Sequence, residues 1–407
     1  MNIAMISDFF YPDIGGIETH IIYLSNALIS RGHKVIGITH SRDNYNGIIY
    51  HGKLKIYYLR TPTVGQTNAS IPSPFAYGNQ LTNVLEEEKI DIVHSHQITS
   101  TLGIESIFHA HLLNIKTVIT SHSLFEKGLL EIIILGKATG FVLQHVGMCI
   151  GVSNTTRENV HEVLGIPPDR ITVIPNGIDQ KMFYWKKKKN NENEIRIICI
   201  NRLAVRKGIM LLSHVVPKIC KMDSRIKFII AGDGPQRNIL DQMIDANSLK
   251  QKVTLLGSIP HEKVAELLWT GDIFLNCSLT EAFCMTILEA AACGLLVVST
   301  DVGGVYEVLP DEMIILKEPC VEELSIGIKS AIDRLENYDS SKYSTLLKKT
   351  YSWSDIADKT EMVYKNLKQR NQSFNDFLNR HNRFSGFLFK LLITSIKLIH
   401  YLYRLFR

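Results

Sequence analysis

Two glutamates, Glu281 and Glu289, stand in the stretch Ser278-Leu279-Thr280-Glu281-Ala282-Phe283-Cys284-Met285-Thr286-Ile287-Leu288-Glu289, which follows the strand-like run Asp272-Ile273-Phe274-Leu275-Asn276. Ser278 precedes Glu281 by three residues, the spacing of a capping box, and Gly294 can close the helix that the pattern predicts. Free N–H groups at such a helix start attract phosphate, and a carboxylate beside them can accept hydrogen bonds from sugar hydroxyls. The plain alternative is a capped helix with Glu289 solvated. A second loop, Asn201-Arg202-Leu203-Ala204-Val205-Arg206-Lys207-Gly208, supplies two or three cations after another strand. One ion pair at contact distance is worth up to about 4 kcal/mol at an effective dielectric near 20. Arg202 and Lys207 could therefore offset much of the charge developing on a diphosphate leaving group without a metal. Taken alone, such cations read as ordinary surface residues.

The first half of the chain offers weaker signals. Gly15-Gly16 lies between a first strand and its helix but lacks the G-x-G-x-x-G spacing, which disfavours a dinucleotide. Paired glycines there still let a ligand approach the backbone. His94 and His96 alternate on a strand and share a face, but no third ligand lies near them in sequence, so no metal and no cofactor are expected. His122 stands in a polar loop, Ser121-His122-Ser123, where a satisfied loop histidine is the bland alternative.

Something must hold these loops. At 407 residues the chain exceeds what one core usually serves, which predicts two domains. Short apolar runs near 2–7, 34–39, 54–59, 90–94, 116–120, 147–152 and 171–174 alternate with helical patterns. A second series runs through 195–200, 226–231, 252–256, 272–276, 295–299 and 312–316. Such alternation implies parallel sheets covered on both faces, with ligands at the carboxyl ends of the strands. The expected division is residues 1–183, a charged linker 184–194, residues 195–350, a crossover helix 351–370 and a basic tail 383–407. The site is expected in the cleft between the domains. The seven cysteines are scattered without a C-x-x-C pair, which argues against disulfides and a zinc knuckle. The first residues already read as a strand, so no cleavable leader is expected.

The net charge of +5 belongs to the end of the chain, where residues 365–407 hold nine Lys/Arg against Asp376 alone. The remainder is slightly acidic, so no nucleic-acid partner is expected. Arg383, Lys390, Lys397 and Arg404 recur every seven residues on an otherwise apolar segment. The uninterrupted apolar stretches fall short of the roughly twenty residues of a clean span, and an in-plane amphipathic helix fits the pattern better.

In combination, Gly15-Gly16, Arg202…Lys207 and Glu281-x7-Glu289 resemble the retaining family 4 glycosyltransferases of the GT-B fold. The wording of Ser7-Asp8-Phe9-Phe10-Tyr11-Pro12, Glu18-x-His20, Val93-His94-Ser95-His96, His122-Ser123-Leu124-Phe125, Arg206-Lys207-Gly208-Ile209 and Ser278–Met285 narrows the resemblance. It is similar to the catalytic subunits of phosphatidylinositol N-acetylglucosaminyltransferase over nearly all of residues 2–320. The resemblance implies an α/β fold of two Rossmann-like doubly wound domains with a C-terminal amphipathic or membrane helix. It also implies retaining transfer of N-acetylglucosamine from UDP-GlcNAc to phosphatidylinositol, the first step of GPI-anchor synthesis. The setting implied is the endoplasmic reticulum membrane, with the catalytic domains facing the cytoplasm and other membrane subunits as partners.

Residue by residue, the resemblance implies that Arg202 and Lys207 hold the donor diphosphate. Glu281, with the backbone of Ala282, Phe283 and Cys284, would grip sugar and phosphate, and Glu289 the ribose. Gly15 and Gly16 would lie where phosphate approaches, His122 beside the sugar, and His20, His94 and His96 on the acceptor side. Two departures stand out: Ser121 occupies the place of an expected acid before His122, and Ala282 and Cys284 replace glycines of the broader family. Sugar identity is not legible in these loops. Another lipid- or glycan-directed transferase of the same fold, or a UDP-sugar epimerase, remains open on the residues alone.

Overall fold

The computed structural model describes residues 1–13, 15–42, 44–61, 63–64, 69–70, 78–125, 142–187 and 194–367. The chain divides into two compact units. One comprises Met1–Gly151, Val160–Thr172 and the chain from Ala357 onward; the other comprises Val152–Asn159 and Val173–Ile356. The helix Trp353–Asn366 therefore begins in the second unit and ends in the first.

The first unit is built on an eight-stranded sheet. In chain order its strands are β1 (Asn2–Ile6), β2 (Lys34–His40), β3 (Gly47–His51), β4 (Leu54–Leu59), then, after a small separate hairpin formed by β5 (Thr63–Val64) and β6 (Ala69–Ser70), β7 (Ile92–His96), β8 (Lys116–Ser121), β9 (Met148–Gly151) and β10 (Ile171–Val173). Their spatial order is β10-β9-β8-β7-β1-β2-β4-β3. β3 runs antiparallel to β4 through a turn at Gly52, whose φ is +59°. The alternation of strand and helix predicts parallel pairing throughout, and this edge hairpin departs from it because a tight Gly-containing turn needs no crossover helix. The interior strands are buried along nearly their whole length, as expected where helices cover both faces.

The second unit carries a six-stranded parallel sheet of β11 (Ile195–Ile200), β12 (Ile226–Ala231), β13 (Val253–Gly257), β14 (Ile273–Asn276), β15 (Leu296–Thr300) and β16 (Ile314–Lys317), in the order β13-β12-β11-β14-β15-β16. Its core joins Ile197, Phe228, Leu275, Leu296 and Val298 to the helices Ile209–Met222 and Val321–Arg334. Each such side chain, fully buried, contributes about 1.5–3 kcal/mol. Both sheets thus reverse direction at one point, between β1 and β7 in the first and between β11 and β14 in the second. Loops leaving the carboxyl ends of those strands diverge, and the gap is where such sheets bind ligands.

Among the described residues no helix is long and apolar enough to cross a membrane. The basic tail 383–407 and the charged segment 188–193 lie outside the described residues.

Candidate active site

The second unit's switch point brings the two chemically suggestive loops together. Leu279 N donates to Arg206 O at 2.8 Å, tying the loop after β14 to the loop after β11. Across that tie Lys207 Nζ forms an ion pair with Glu281 Oε1, both largely buried. Burial alone would lower the Lys207 pKa, but Glu281 beside it more than offsets this and holds it above the ordinary value. Lys207 is therefore a fixed cation.

Glu281 is itself positioned from below. The Ser278 hydroxyl lies 2.8 Å from both Glu281 Oε1 and Asn276 Oδ1. Asn276 Nδ2 donates to Ser299 Oγ at 2.9 Å, and Thr300 Oγ1 donates to Ser278 O at 2.5 Å. The capping-box expectation is corrected here. The helix starts only at Met285, with Cys284 as its N-cap and no side-chain cap bond, and Ser278 and Glu281 sit in the preceding loop bonded side chain to side chain. The carboxylate that would have capped the helix is held by Lys207 instead. The first amides of the helix are left without a side-chain acceptor, in the orientation that favours an anion.

Ala282, Phe283 and Cys284 bury their side chains, so what they offer a ligand is backbone. Phe283 packs edge-on against Tyr351, centroids 6.0 Å apart, and burial pushes the Cys284 thiol up to about 12. Cys284 adopts φ +70°, a left-handed conformation that costs a non-glycine residue on the order of 1–3 kcal/mol and accumulates at functional turns. A glycine, which the resemblance implies at this place in the broader family, would carry no such cost. Gly208 also has φ +67°, and a Cβ there would fall 1.8 Å from Cys277 O, so the two loops touch backbone to backbone.

Arg202 is exposed and forms no ion pair among the described residues, which leaves its guanidinium available. Glu289 is buried on the helix Met285–Ala292 and is not solvated. Burial raises its pKa, and His261 Nε2, 3.6 Å away, partly counters this. His261 in turn is raised by its bond to Glu289. His261 gives no sequence signal, since a histidine opening a helix after Pro260 is unremarkable until the fold brings it to Glu289. Gly304 escapes sequence reasoning too: its N–H donates to Glu281 O at 2.9 Å, and a Cβ there would meet Ala282 O at 2.2 Å.

In the first unit Gly15 is the N-cap of the helix Gly16–Ser30, with extended backbone and no side-chain cap. The register pairs Met5 with His94 and His96 with Thr120, so the ends of β1, β7 and β8 lie side by side, with the histidines of β7 between the other two strands. His94 and His96 lie within β7, not in the loop beyond it. His94 is fully buried, with Nδ1 2.6 Å from Tyr364 OH and Nε2 2.7 Å from Thr120 Oγ1, so neither ring nitrogen is left for an acceptor. Burial pushes its pKa down to about 3. His96 is also fully buried, and its Nδ1 lies 3.2 Å from His122 Nε2. His20, buried on its helix, stacks edge-on to His122 with centroids 4.6 Å apart.

Ser121 stands where the resemblance implies an acid; its hydroxyl donates to Ser123 O at 3.2 Å, and the His122 ring meets His96 instead. His96 Nε2 faces Met5 Sδ at 3.4 Å, and a thioether only accepts, so Nε2 is assigned the proton and Nδ1 the lone pair. His122 Nε2 then donates to His96, leaving its Nδ1 lone pair for a hydroxyl. Gln97 fixes the same loop, accepting from His122 N at 3.3 Å and donating to Ser123 Oγ at 2.6 Å. Burial first, and the neighbouring histidines second, hold both His96 and His122 well below the ordinary histidine value.

The comparisons agree with this architecture. Residues 14–181 match the model of Glycosyltransferase Family 4, and residues 181–345 that of Glycosyl transferases group 1. A phosphatidylinositol N-acetylglucosaminyltransferase subunit from Arabidopsis thaliana is 41% identical over 410 residues, covering 100% of this chain and 91% of the relative. The chain belongs to this family of phosphatidylinositol N-acetylglucosaminyltransferase subunits. The Homo sapiens member is 38% identical across 89% of this chain and 75% of its own length. Solved structures outside this family share the GT-B fold of two Rossmann-like domains. A sucrose-phosphate synthase from Thermosynechococcus elongatus superposes with a TM-score of 0.73 at 20% identity, covering 90% of this chain and 98% of that one. Anabaena HepE in complex with UDP gives 0.73 at 16% identity, over 90% and 100%. The chain is a glycosyltransferase by both family models and by its relatives.

Proposed function

We propose that this chain transfers N-acetylglucosamine from UDP-GlcNAc to phosphatidylinositol with retention of configuration, the first step of GPI-anchor synthesis. The observation that carries the reading is 41% identity, across the whole chain, to a relative named for that transfer. In this reading Lys207 and Arg202 take the donor diphosphate, and the amides after Cys284 take its oxygens. Glu281, steered by Ser278 and Lys207, accepts from sugar hydroxyls, and buried Glu289 accepts from the ribose. An inositol hydroxyl attacks the anomeric carbon on the face that UDP leaves. The bond between that carbon and the phosphate oxygen breaks, and the hydroxyl proton passes to the departing phosphate. Lys207 is suited to this because it stays charged while largely buried, where a fixed cation stabilises developing phosphate charge most strongly. The His122 Nδ1 lone pair would orient a hydroxyl of the sugar.

We place the reaction at the endoplasmic reticulum membrane, with both units on the cytoplasmic face and further membrane subunits as partners. Support comes from the family resemblance, from relatives named as subunits, and from the basic, apolar composition of residues 383–407. Membranes containing the chain, supplied with labelled UDP-GlcNAc, UDP-glucose or GDP-mannose, test the reading. Label entering inositol lipid from UDP-GlcNAc alone is the expected result; label from another donor, or none, overturns it. Protease protection of the C-terminus in sealed vesicles tests the membrane placement.

A further inference from the structure

We propose that His20, His96 and His122 form a binding site for a zinc-class divalent transition metal, separate from the diphosphate site. One ligand nitrogen from each ring lies within 4.8 Å of the others. A tetrahedral zinc ion with nitrogen ligands at about 2.0–2.1 Å holds two of them roughly 3.3 Å apart, and His96 Nδ1 and His122 Nε2 are already 3.2 Å apart. His20 supplies the third nitrogen, within 4.8 Å of the other two.

The surroundings suit a metal. Met5 Sδ against His96 Nε2 directs the Nδ1 lone pair into the cluster, standing where a carboxylate, carbonyl or water ordinarily orients a metal-bound imidazole. Burial keeps the His96 and His122 rings neutral, the form in which imidazole coordinates. The three ligands come from three elements: the helix Gly16–Ser30, strand β7 and the loop after β8. His20 and His96 are buried and His122 is partly exposed, so an ion enters, and a fourth ligand such as water sits, on the His122 side. The ion takes the place of the proton shared by His96 and His122, which moves to His122 Nδ1, so no net protonation change is needed, and in the metal-bound form Nδ1 donates to a sugar hydroxyl instead of accepting from it. The pair that the sequence suggests, His94 with His96, is not the site. Both His94 nitrogens are engaged, and the ligands missing from the local sequence arrive from 76 residues before His96 and 26 after it.

The test uses the untagged full chain, stripped with chelator and titrated with Co2+. One Co2+ bound per chain, with visible ligand-field bands of a four-coordinate ion that Zn2+ abolishes, is the expected result. His20→Ala and His122→Ala should each weaken binding at least about 100-fold, whereas His214→Ala, on an exposed helix position, should leave it unchanged. His20→Asn serves if the alanine variant does not fold, and a Zn2+-dependent rise in the wild-type melting temperature provides a reading without any variant. Absence of stoichiometric Co2+ binding, or binding that persists in the folded His20 variant, overturns the site. Neither outcome bears on the donor-specificity assay.

Discussion

The backbone contact at Gly208 makes the sharpest prediction. Substituting Gly208→Ala incurs two penalties. The residue sits at φ +67°, where an alanine loses about 1–2 kcal/mol relative to glycine. Its Cβ would also fall 1.8 Å from Cys277 O, against a comfortable carbon–oxygen separation of about 3.3 Å, so one loop must retreat by roughly 1.5 Å. Overpacking of this kind adds about 1–3 kcal/mol. The total loss is therefore about 2–5 kcal/mol, enough to lower the melting temperature without abolishing folding. The functional loss is larger, because the displaced backbone adjoins Lys207 on one side and Ser278 on the other. A misplacement near 1 Å costs on the order of 100-fold in rate. Gly32→Ala is the control: φ is +85° but nothing lies within 4 Å of the added Cβ, so it carries the conformational penalty alone. Transfer of labelled N-acetylglucosamine to inositol lipid, measured well below both melting temperatures, should fall about 100-fold or more in Gly208→Ala and stay near wild type in Gly32→Ala. Activity of Gly208→Ala within about threefold of wild type would refute the reasoning.

Three further outcomes are expected. Lys207→Ala and Glu281→Ala should each lower turnover by about 100- to 1,000-fold with folding retained, as removal of one fixed charge-stabilising group does elsewhere; normal turnover in a folded variant would remove that residue from the site. Stability should fall as pH rises, most clearly above 6.5. His261 is raised above its ordinary 6.5 by Glu289, so its contribution is complete below 6.5 and drains as pH climbs through the raised value, while ionising buried Glu289 above its ordinary 4.5 costs stability in the same direction. Urea midpoints should show the drop in wild type and a flatter profile in His261→Gln; a rising wild-type midpoint contradicts the assignment. At the other end of the scale, Arg31 first, then His33 and Lys365, hold Glu361 down to about 2 against the opposing effect of burial. Its contribution is present above 4.5 and lost as pH falls toward 2, so Glu361→Gln should remove that portion of the acid transition; an unchanged acid profile would place the loss elsewhere.

Much of the fold was legible because strand and helix periodicities are local. The strands of both series fall within about two residues of the expected runs, apart from β3, whose antiparallel hairpin depends on a turn at Gly52 and not on hydrophobic spacing. The loops carrying Lys207 and Glu281 were legible as well, since a cation cluster and an acid after two strand ends are visible one-dimensionally. How the acid is used was not. Ser278 and Glu281 satisfy a capping-box spacing, yet Lys207, distant in sequence, competes for the same carboxylate and prevails because the pairing is charge-assisted and largely buried.

By itself, then, the chain's sequence determines two α/β series, the chemically suggestive loops and, through its wording, the family. Tertiary structure alone decides which side chains act together. Strand register sets His96 against Thr120 and next to His122, helix packing brings in His20, and the chain's return through Trp353–Asn366 brings Tyr364 to His94. Periodicity reports only which face of an element is buried. Contacts between residues far apart in sequence depend on the order and offset of whole strands, which side-chain packing and the backbone ladder settle together.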